Sequence, residues 1–573
     1  MRVRHSRLFQ QVSRCVLGLA VALSGNISPA LADMPTKTPI KHVVVFFQEN
    51  QSFDHYFGTY PNAANIPGET SWVGIPASQF TPRPNTPTVN GLTAELLTNN
   101  PNKTLNGAPA NPQRLRPADA VVCDNSHDYT KEQDAADHGL MDKFPQSTAG
   151  TGEGCLADGS SVMNYVDGNT VTALWNYANH YSMSDNSFDT NYGPTLPGHI
   201  NLVSGNTHGG ILHNASSNSA VFINPTDGSV TDINNIAGFL DDCGSDKGGT
   251  VNAATLEMTG PNVGDLLNAK GVTWGWFQGG FKPTSPAVVD ANGNTVTPAV
   301  CSTAHANHQV VVNGTTYTVP NPTIGFTKDV HTQGTDYSTG VVPFMHYAST
   351  RNVHHLPPSS PTMIGQTDQA NHQYDTSDFF TALQNGNLPA VSYVKAPTYL
   401  YGHPGNSDPL VEQTWLVQGI NAVMQSPFWS STAIIIAWDD SDGFYDHVIG
   451  PVLTPSGASI DALAGSGSCG TPVGGADAAR CGRGPRQPLL VISPYAKTNY
   501  VDHTLTDQAS ILLFIEQNWD LGFIDGPNPP AQGTGSVDRY AGPIDGMFDF
   551  TDAPNLRQLQ LDPVRGTVVG KNW

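Results

Sequence analysis

The stretch Lys41–Tyr60, KHVVVFFQENQSFDHYFGTY, constrains this chain more than any other. Past His42 an apolar run rich in valine continues to Phe47. Such a run fits a strand buried on both faces of a sheet, not the alternating pattern of a half-exposed one. It stops abruptly at Gln48-Glu49-Asn50. A carboxylate and an amide thus stand at the carboxyl end of a core strand, the edge where open α/β sheets take ligands. Both offer hard oxygen donors, which suit a divalent cation better than a thiol-loving metal would be suited. A strand-to-helix turn with polar caps accounts for the same residues equally well.

Two further stretches repeat the theme. Thr432–Val448, TAIIIAWDDSDGFYDHV, carries a buried strand at Ala433–Ala437 that leads into Asp439 and Asp440, then Asp442, Asp446 and His447. Adjacent carboxylates repel, and a cation is the simplest way to offset them. In Gly193-Pro194-Thr195-Leu196-Pro197-Gly198-His199, Gly and Pro on both sides should hold Thr195 at the start of a helix over Leu196–Ser204. There its hydroxyl faces the positive helix end. It can be a nucleophile if a metal or base lowers its pKa. Taken alone, it is an ordinary N-cap threonine. His127, within Asp124-Asn125-Ser126-His127-Asp128, and His403, within Gly402-His403-Pro404, are loop histidines that gain meaning if other polar groups converge on them. Further strands read at Gly271–Phe277, Pro389–Lys395 and Pro488–Ile492. Helices read at Val171–Tyr181, Leu410–Gln425 and from Ser510 through Glu516. Strands alternating with helices predict an α/β fold: a mainly parallel central sheet, helices on both faces, long loops at the carboxyl edge.

The amino terminus bounds the compartment. Arg2, Arg4, Arg7 and Arg14 precede a short apolar run, Cys15 to Leu23, and Ala30-Leu31-Ala32 fits small-residue cleavage, so residues 1–32 read as a signal peptide. The expectation is a secreted or periplasmic chain, 33–573, forming one catalytic domain without a transmembrane segment. Removing the four leader arginines takes the formal net charge from -22 to -26. That acidity argues against nucleic acid as a partner, since phosphates need Lys and Arg. It also opposes electrostatic docking on anionic lipid. Six cysteines remain, at 123, 155, 243, 301, 469 and 481. An even count in an oxidising compartment predicts three disulfides, with nearest-neighbour pairing as the expectation among fifteen possibilities.

Together, ENQSFDHYFG (49–58), DNSF (185–188), GPTLPGH (193–199), DDSDGFYDHV (439–448) and GPRQPLLVISPYA (484–496) resemble the bacterial phospholipase C / acid phosphatase family, within the alkaline-phosphatase-like hydrolases. The resemblance implies metal ligation by Glu49, Asn50, Asp439 and Asp440, with Thr195 as a nucleophile that also touches the metal. His127 and His403 would stand near the phosphoryl group, and Asp185 would accompany them. It implies one divalent ion, with Ca, Mg, Mn or Zn possible. The substrates implied are phosphate-ester small molecules or phospholipid head groups. One departure stands out. Many relatives carry a His-His pair before a Pro-Phe that corresponds to Pro343-Phe344; here the positions hold Gly340 and Val341. Either a loop shift brings in His346, or part of the phosphate shell is missing. The expected function is an acid-phosphatase-type esterase. The alternatives are a phospholipase C and an inactive secreted binding protein on the same scaffold.

Overall fold

A computed structural model describes residues 34–569, apart from 72–73, 153, 245–252, 292–294, 302–307, 313–314, 320–335, 472–473, 529 and 532. The proposed leader lies outside the described residues. The central sheet is built from β1 (His42–Gln48), β2 (Ser182–Phe188), β3 (Trp274–Gln278), β4 (Gln373–Asp375), β5 (Val391–Lys395), β6 (Thr432–Trp438), β7 (Arg486–Ile492), β8 (Tyr500–Asp502) and β9 (Thr506–Asp507). Its order is β4-β3-β5-β1-β6-β7-β2-β8, with β9 also on β2. All of these pairings are parallel except the two made by β7, which runs against both β6 and β2.

The principal helices are α1 (Phe53–Phe57), α2 (Tyr129–Ala136), α3 (Thr172–His180), α4 (Leu196–Ser204), α5 (Val263–Lys270), α6 (Thr376–Asn385), α7 (Pro409–Gln425) and α8 (Gln508–Trp519). Successive residues of a strand point to opposite faces. Phe46 meets Phe379 of α6, at 6.2 Å between ring centroids, and lies against Gly419 of α7. Phe47 meets His199 of α4, at 4.8 Å. Helices therefore cover both faces, and β1, buried along nearly its whole length, lies between them.

The register decides where the polar groups emerge. Gln48 pairs with Trp438, so Glu49 and Asp439 leave the sheet side by side. Phe46 pairs with Val394, which sets Lys395 of β5 level with Phe47. Helix α4 sits close over this edge: a Cβ on Gly198 would lie 2.2 Å from the Asp439 carbonyl oxygen. Glycine permits that approach where no side chain fits. The disulfides pair as nearest neighbours, Cys123–Cys155, Cys243–Cys301 and Cys469–Cys481. Among the described residues no helix is long and apolar enough to cross a membrane.

Candidate active site

At the carboxyl edge the three sequence stretches meet. Asp439 Oδ1 accepts the backbone N–H groups of Asn50, at 3.1 Å, and of Asp440, at 2.9 Å. Asp440 Oδ2 accepts the N–H of Thr195 at 2.7 Å, and its Oδ1 accepts that of Asp442 at 2.8 Å. The Thr195 hydroxyl makes no capping bond to its own helix. It donates instead to Glu49 Oε2, at 3.5 Å. Glu49, Asn50, Thr195, Asp439 and Asp440 are thus one constellation, and all are buried.

The histidines flank it. His127 Nε2 faces Asn50 Nδ2 at 3.2 Å, and its Nδ1 donates to the Asn125 carbonyl at 2.7 Å. Asp442 holds that turn, accepting both the N–H of Asn125, at 3.0 Å, and its side-chain amide, at 3.2 Å. The His403 ring lies 5.8 Å from that of His127, with its Nδ1 spent on the Pro404 carbonyl. Burial works against a charged His127, but Asp440, Asp442 and Glu132 outweigh it and push the ring up to about 10. Burial first, then Glu49 and Asp440, pushes the Asp439 carboxyl well above the usual range. Burial also raises Asp440.

Two expected positions do not join. Asp185 spends its carboxylate on the Asn90 N–H, at 2.7 Å, and on His503, at 2.7 Å. Its carbonyl takes Arg486, which pairs with Asp54 and Asp446 in a separate buried network. His346 is buried with Nδ1 against Val342 O and Nε2 against Ile236 O, so both of its ring nitrogens are engaged by backbone carbonyls.

The donor set fits a metal. Asn50 Oδ1 and Asp439 Oδ2 are buried and find no hydrogen-bond partner, an arrangement that is costly unless something else meets them. Glu49, Asp439 and His199 each turn a ligand atom into one space, mutually within 4.8 Å. His199, four residues beyond Thr195 on α4, donates Nδ1 to the Thr195 carbonyl at 2.7 Å and leaves Nε2 open. Burial, and secondarily Lys395, holds its pKa well below the usual imidazole value, which suits a neutral ligand. Lys395, fully buried, lies 2.5 Å from Glu49 Oε1. The sequence alone does not single out His199 or Lys395. The i, i+4 spacing from Thr195 and the strand-end position, respectively, were the available signals.

The chain belongs to the phosphoesterase family, whose model matches residues 40–522. Among its relatives, it is 37% identical to the non-hemolytic phospholipase C of Burkholderia pseudomallei over 143 residues, which are 24% of this chain and 20% of that protein. It is 30% identical to phospholipase C B of Mycobacterium tuberculosis over 197 residues, 33% of this chain and 34% of that protein. It is 29% identical to the hemolytic phospholipase C of Pseudomonas aeruginosa over 177 residues, 30% of this chain and 22% of that protein. The matched stretches therefore span between 20% and 34% of these relatives' lengths.

Proposed function

We propose that the protein is a secreted, metal-dependent phosphoesterase that works through a phosphothreonine intermediate, on an alkaline-phosphatase-like catalytic domain spanning residues 33–573. The observation that carries this reading is the Thr195 hydroxyl. It is released from capping and aimed at Glu49 Oε2 beside the unpartnered Asn50 Oδ1 and Asp439 Oδ2. Glu49, Asn50, Asp439 and Asp440 would hold one divalent ion. Thr195 would reach it as well, and the open Nε2 of His199 would adjoin it. When bound, such an ion supplies Lewis-acid polarisation of the phosphoryl oxygens and lowers the hydroxyl pKa.

The chain's own groups carry the remaining steps. Thr195 Oγ1 forms its bond to phosphorus as the ester oxygen leaves, and the hydroxyl proton is directed at Glu49 Oε2. The departing oxygen takes a proton from a flanking histidine, His127 or His403. In the second half the deprotonated imidazole takes a proton from water, whose oxygen bonds to phosphorus while the Thr195–phosphorus bond breaks and Thr195 Oγ1 takes back the proton held at Glu49 Oε2. Asp440 fixes the nucleophile through the Thr195 N–H, and Asp442 fixes His127 through Asn125. Asp185 lies apart from these steps, its carboxylate held by Asn90 and His503.

Acid-phosphatase-type monoester hydrolysis is the first substrate reading. Phospholipase C action on a diester is the second, favoured by the names of the relatives matched above. The test compares p-nitrophenyl phosphate with p-nitrophenyl phosphorylcholine, with Thr195→Ala as the blank. Preference for the first substrate supports a monoesterase; preference for the second supports a phospholipase C. Metal binding without turnover of either would overturn the enzymatic reading in favour of a binding protein.

A further inference from the structure

The first backbone N–H groups of a helix have no partner within it, and an N-cap Ser, Thr, Asn or Asp side chain normally satisfies one. Helix α4 departs from this. Thr195 occupies the cap position, makes no capping bond, and donates its hydroxyl to Glu49. The N–H of Leu196, the first helical residue, is accepted by Asn235 Oδ1 at 2.9 Å, from a loop 39 residues downstream.

That bond settles how the Asn235 amide is turned. An N–H donor must meet the oxygen, so Nδ2 with its two hydrogens faces the other way. Asn235 is exposed, and among the described residues its Nδ2 meets no protein acceptor. The preceding residue anchors the same loop to the other side of the site: Asn234 Nδ2 donates to Asp128 Oδ1 at 2.9 Å, one residue from His127. The Asn234–Asn235 pair is thus tied both to the residue that follows the nucleophile and to the residue that follows the flanking histidine. Gly340 leaves room for it. A Cβ there would lie 3.2 Å from Asn235 Cγ and 3.3 Å from its Oδ1. Gly340, with no side chain, therefore gives Asn235 its place.

We propose that Asn235 caps the nucleophile helix at its first N–H, beside a Thr195 hydroxyl that makes no capping bond of its own, and that its Nδ2 donates to the phosphate group of the ester at the rim of the site. The second part rests on the reading of Thr195 as nucleophile.

Two substitutions separate the roles. Asn235→Ala removes both the cap and the donor. Asn235→Asp keeps an acceptor for the Leu196 N–H, favourably charged for a helix N-terminus, but loses the donor and adds a charge that repels phosphate. Each is measured for thermal midpoint, for kcat and KM on p-nitrophenyl phosphate, and for inorganic phosphate affinity by calorimetry. Asn235→Ala should lower the midpoint and reduce kcat/KM and phosphate affinity by about tenfold or more, the range for one hydrogen bond to a charged group. Asn235→Asp should hold the wild-type midpoint while phosphate affinity falls about as far. Gly340→Ala should raise KM by crowding the amide. A wild-type midpoint in Asn235→Ala overturns the capping role, and wild-type phosphate affinity in Asn235→Asp overturns the donor role. If the wild-type protein turns over no phosphate ester, the enzymatic reading falls, and the two midpoints still decide the capping.

Discussion

Lys395 shows how much a single residue can govern at this site. Its ammonium is fully buried, 2.5 Å from Glu49 Oε1 and 3.3 Å from the Gln48 carbonyl, over the rings of Phe47 and Tyr401. A buried charge left without its partner is costly, typically about 3–5 kcal/mol. Lys395→Met should therefore destabilise the metal-free protein by roughly that amount. Addition of a divalent cation should recover much of the loss, because it meets the same carboxylate. Denaturant melts with and without metal measure both values, and equal losses in the two states would remove Lys395 from the electrostatics of the site. His55 makes a separate case for pH. It stacks on Phe444, donates to the Asn164 carbonyl, and is pushed down to about 4 by burial. Its folded-state pKa lies below the ordinary 6.5, so the unfolded chain takes up a proton first as pH falls. The stability it supports is complete above pH 6.5 and is lost between there and 4, about 3 kcal/mol in all. Subtracting the melts of His55→Gln from those of wild type across this window isolates the loss; a difference constant with pH would rule it out.

Among the elements, α4 is where sequence and geometry are most tightly joined. Its span was legible because Gly-Pro-Thr marks its start and Gly205 its end, and the structure gives the same bounds, Leu196–Ser204. Strands β1 and β6 were legible for a different reason: apolar runs buried on both faces need no partner to be recognised. What the sequence withheld was contact across distance. Nothing local marks Asn235 as the partner of Leu196, and Pro488–Ile492 read as a strand without revealing that it runs against its neighbours. Its true start, Arg486, was hidden because polar residues there serve buried ion pairs, not apolar packing. The same packing makes a sharp prediction. With the Gly198 Cβ position 2.2 Å from backbone, Gly198→Ala must push α4 away from Asp439. Overpacking of this kind costs about 1–3 kcal/mol, and a misplacement of about 1 Å can reduce turnover about a hundredfold. Activity should therefore fall by more than stability accounts for, as seen by comparing kcat with the thermal midpoint. Wild-type kcat would mean that the helix and Thr195 are not rigidly coupled.

At the scale of the whole molecule, the fold carries acidic side chains from separate parts of the chain into one buried place. Glu49, Asp439 and Asp440 converge there, with Asp189, Glu132 and Asp442 close enough to act on them or on their neighbours. A chain of net charge -22 gains nothing by burying like charges together unless the native state collects a counter-charge that the unfolded chain does not hold. Cation binding should therefore appear as folding stability, about 2.7 kcal/mol when the free ion stands at a hundred times its dissociation constant. Stripping the protein with a chelator should lower the thermal midpoint, and titrating Ca, Mg, Mn or Zn back should rank them by recovery. Asp439→Asn should lose most of that recovery, because Asp439 Oδ2 is one of the oxygens left open. Asp185→Asn supplies the contrast. Its carboxylate is committed to Asn90 and His503, so the variant can be less stable overall yet should show the full metal-dependent shift. An Asp185→Asn protein that no longer responds to metal would draw that residue back into the ligand set, and an Asp439→Asn protein that responds as wild type does would place the cation elsewhere.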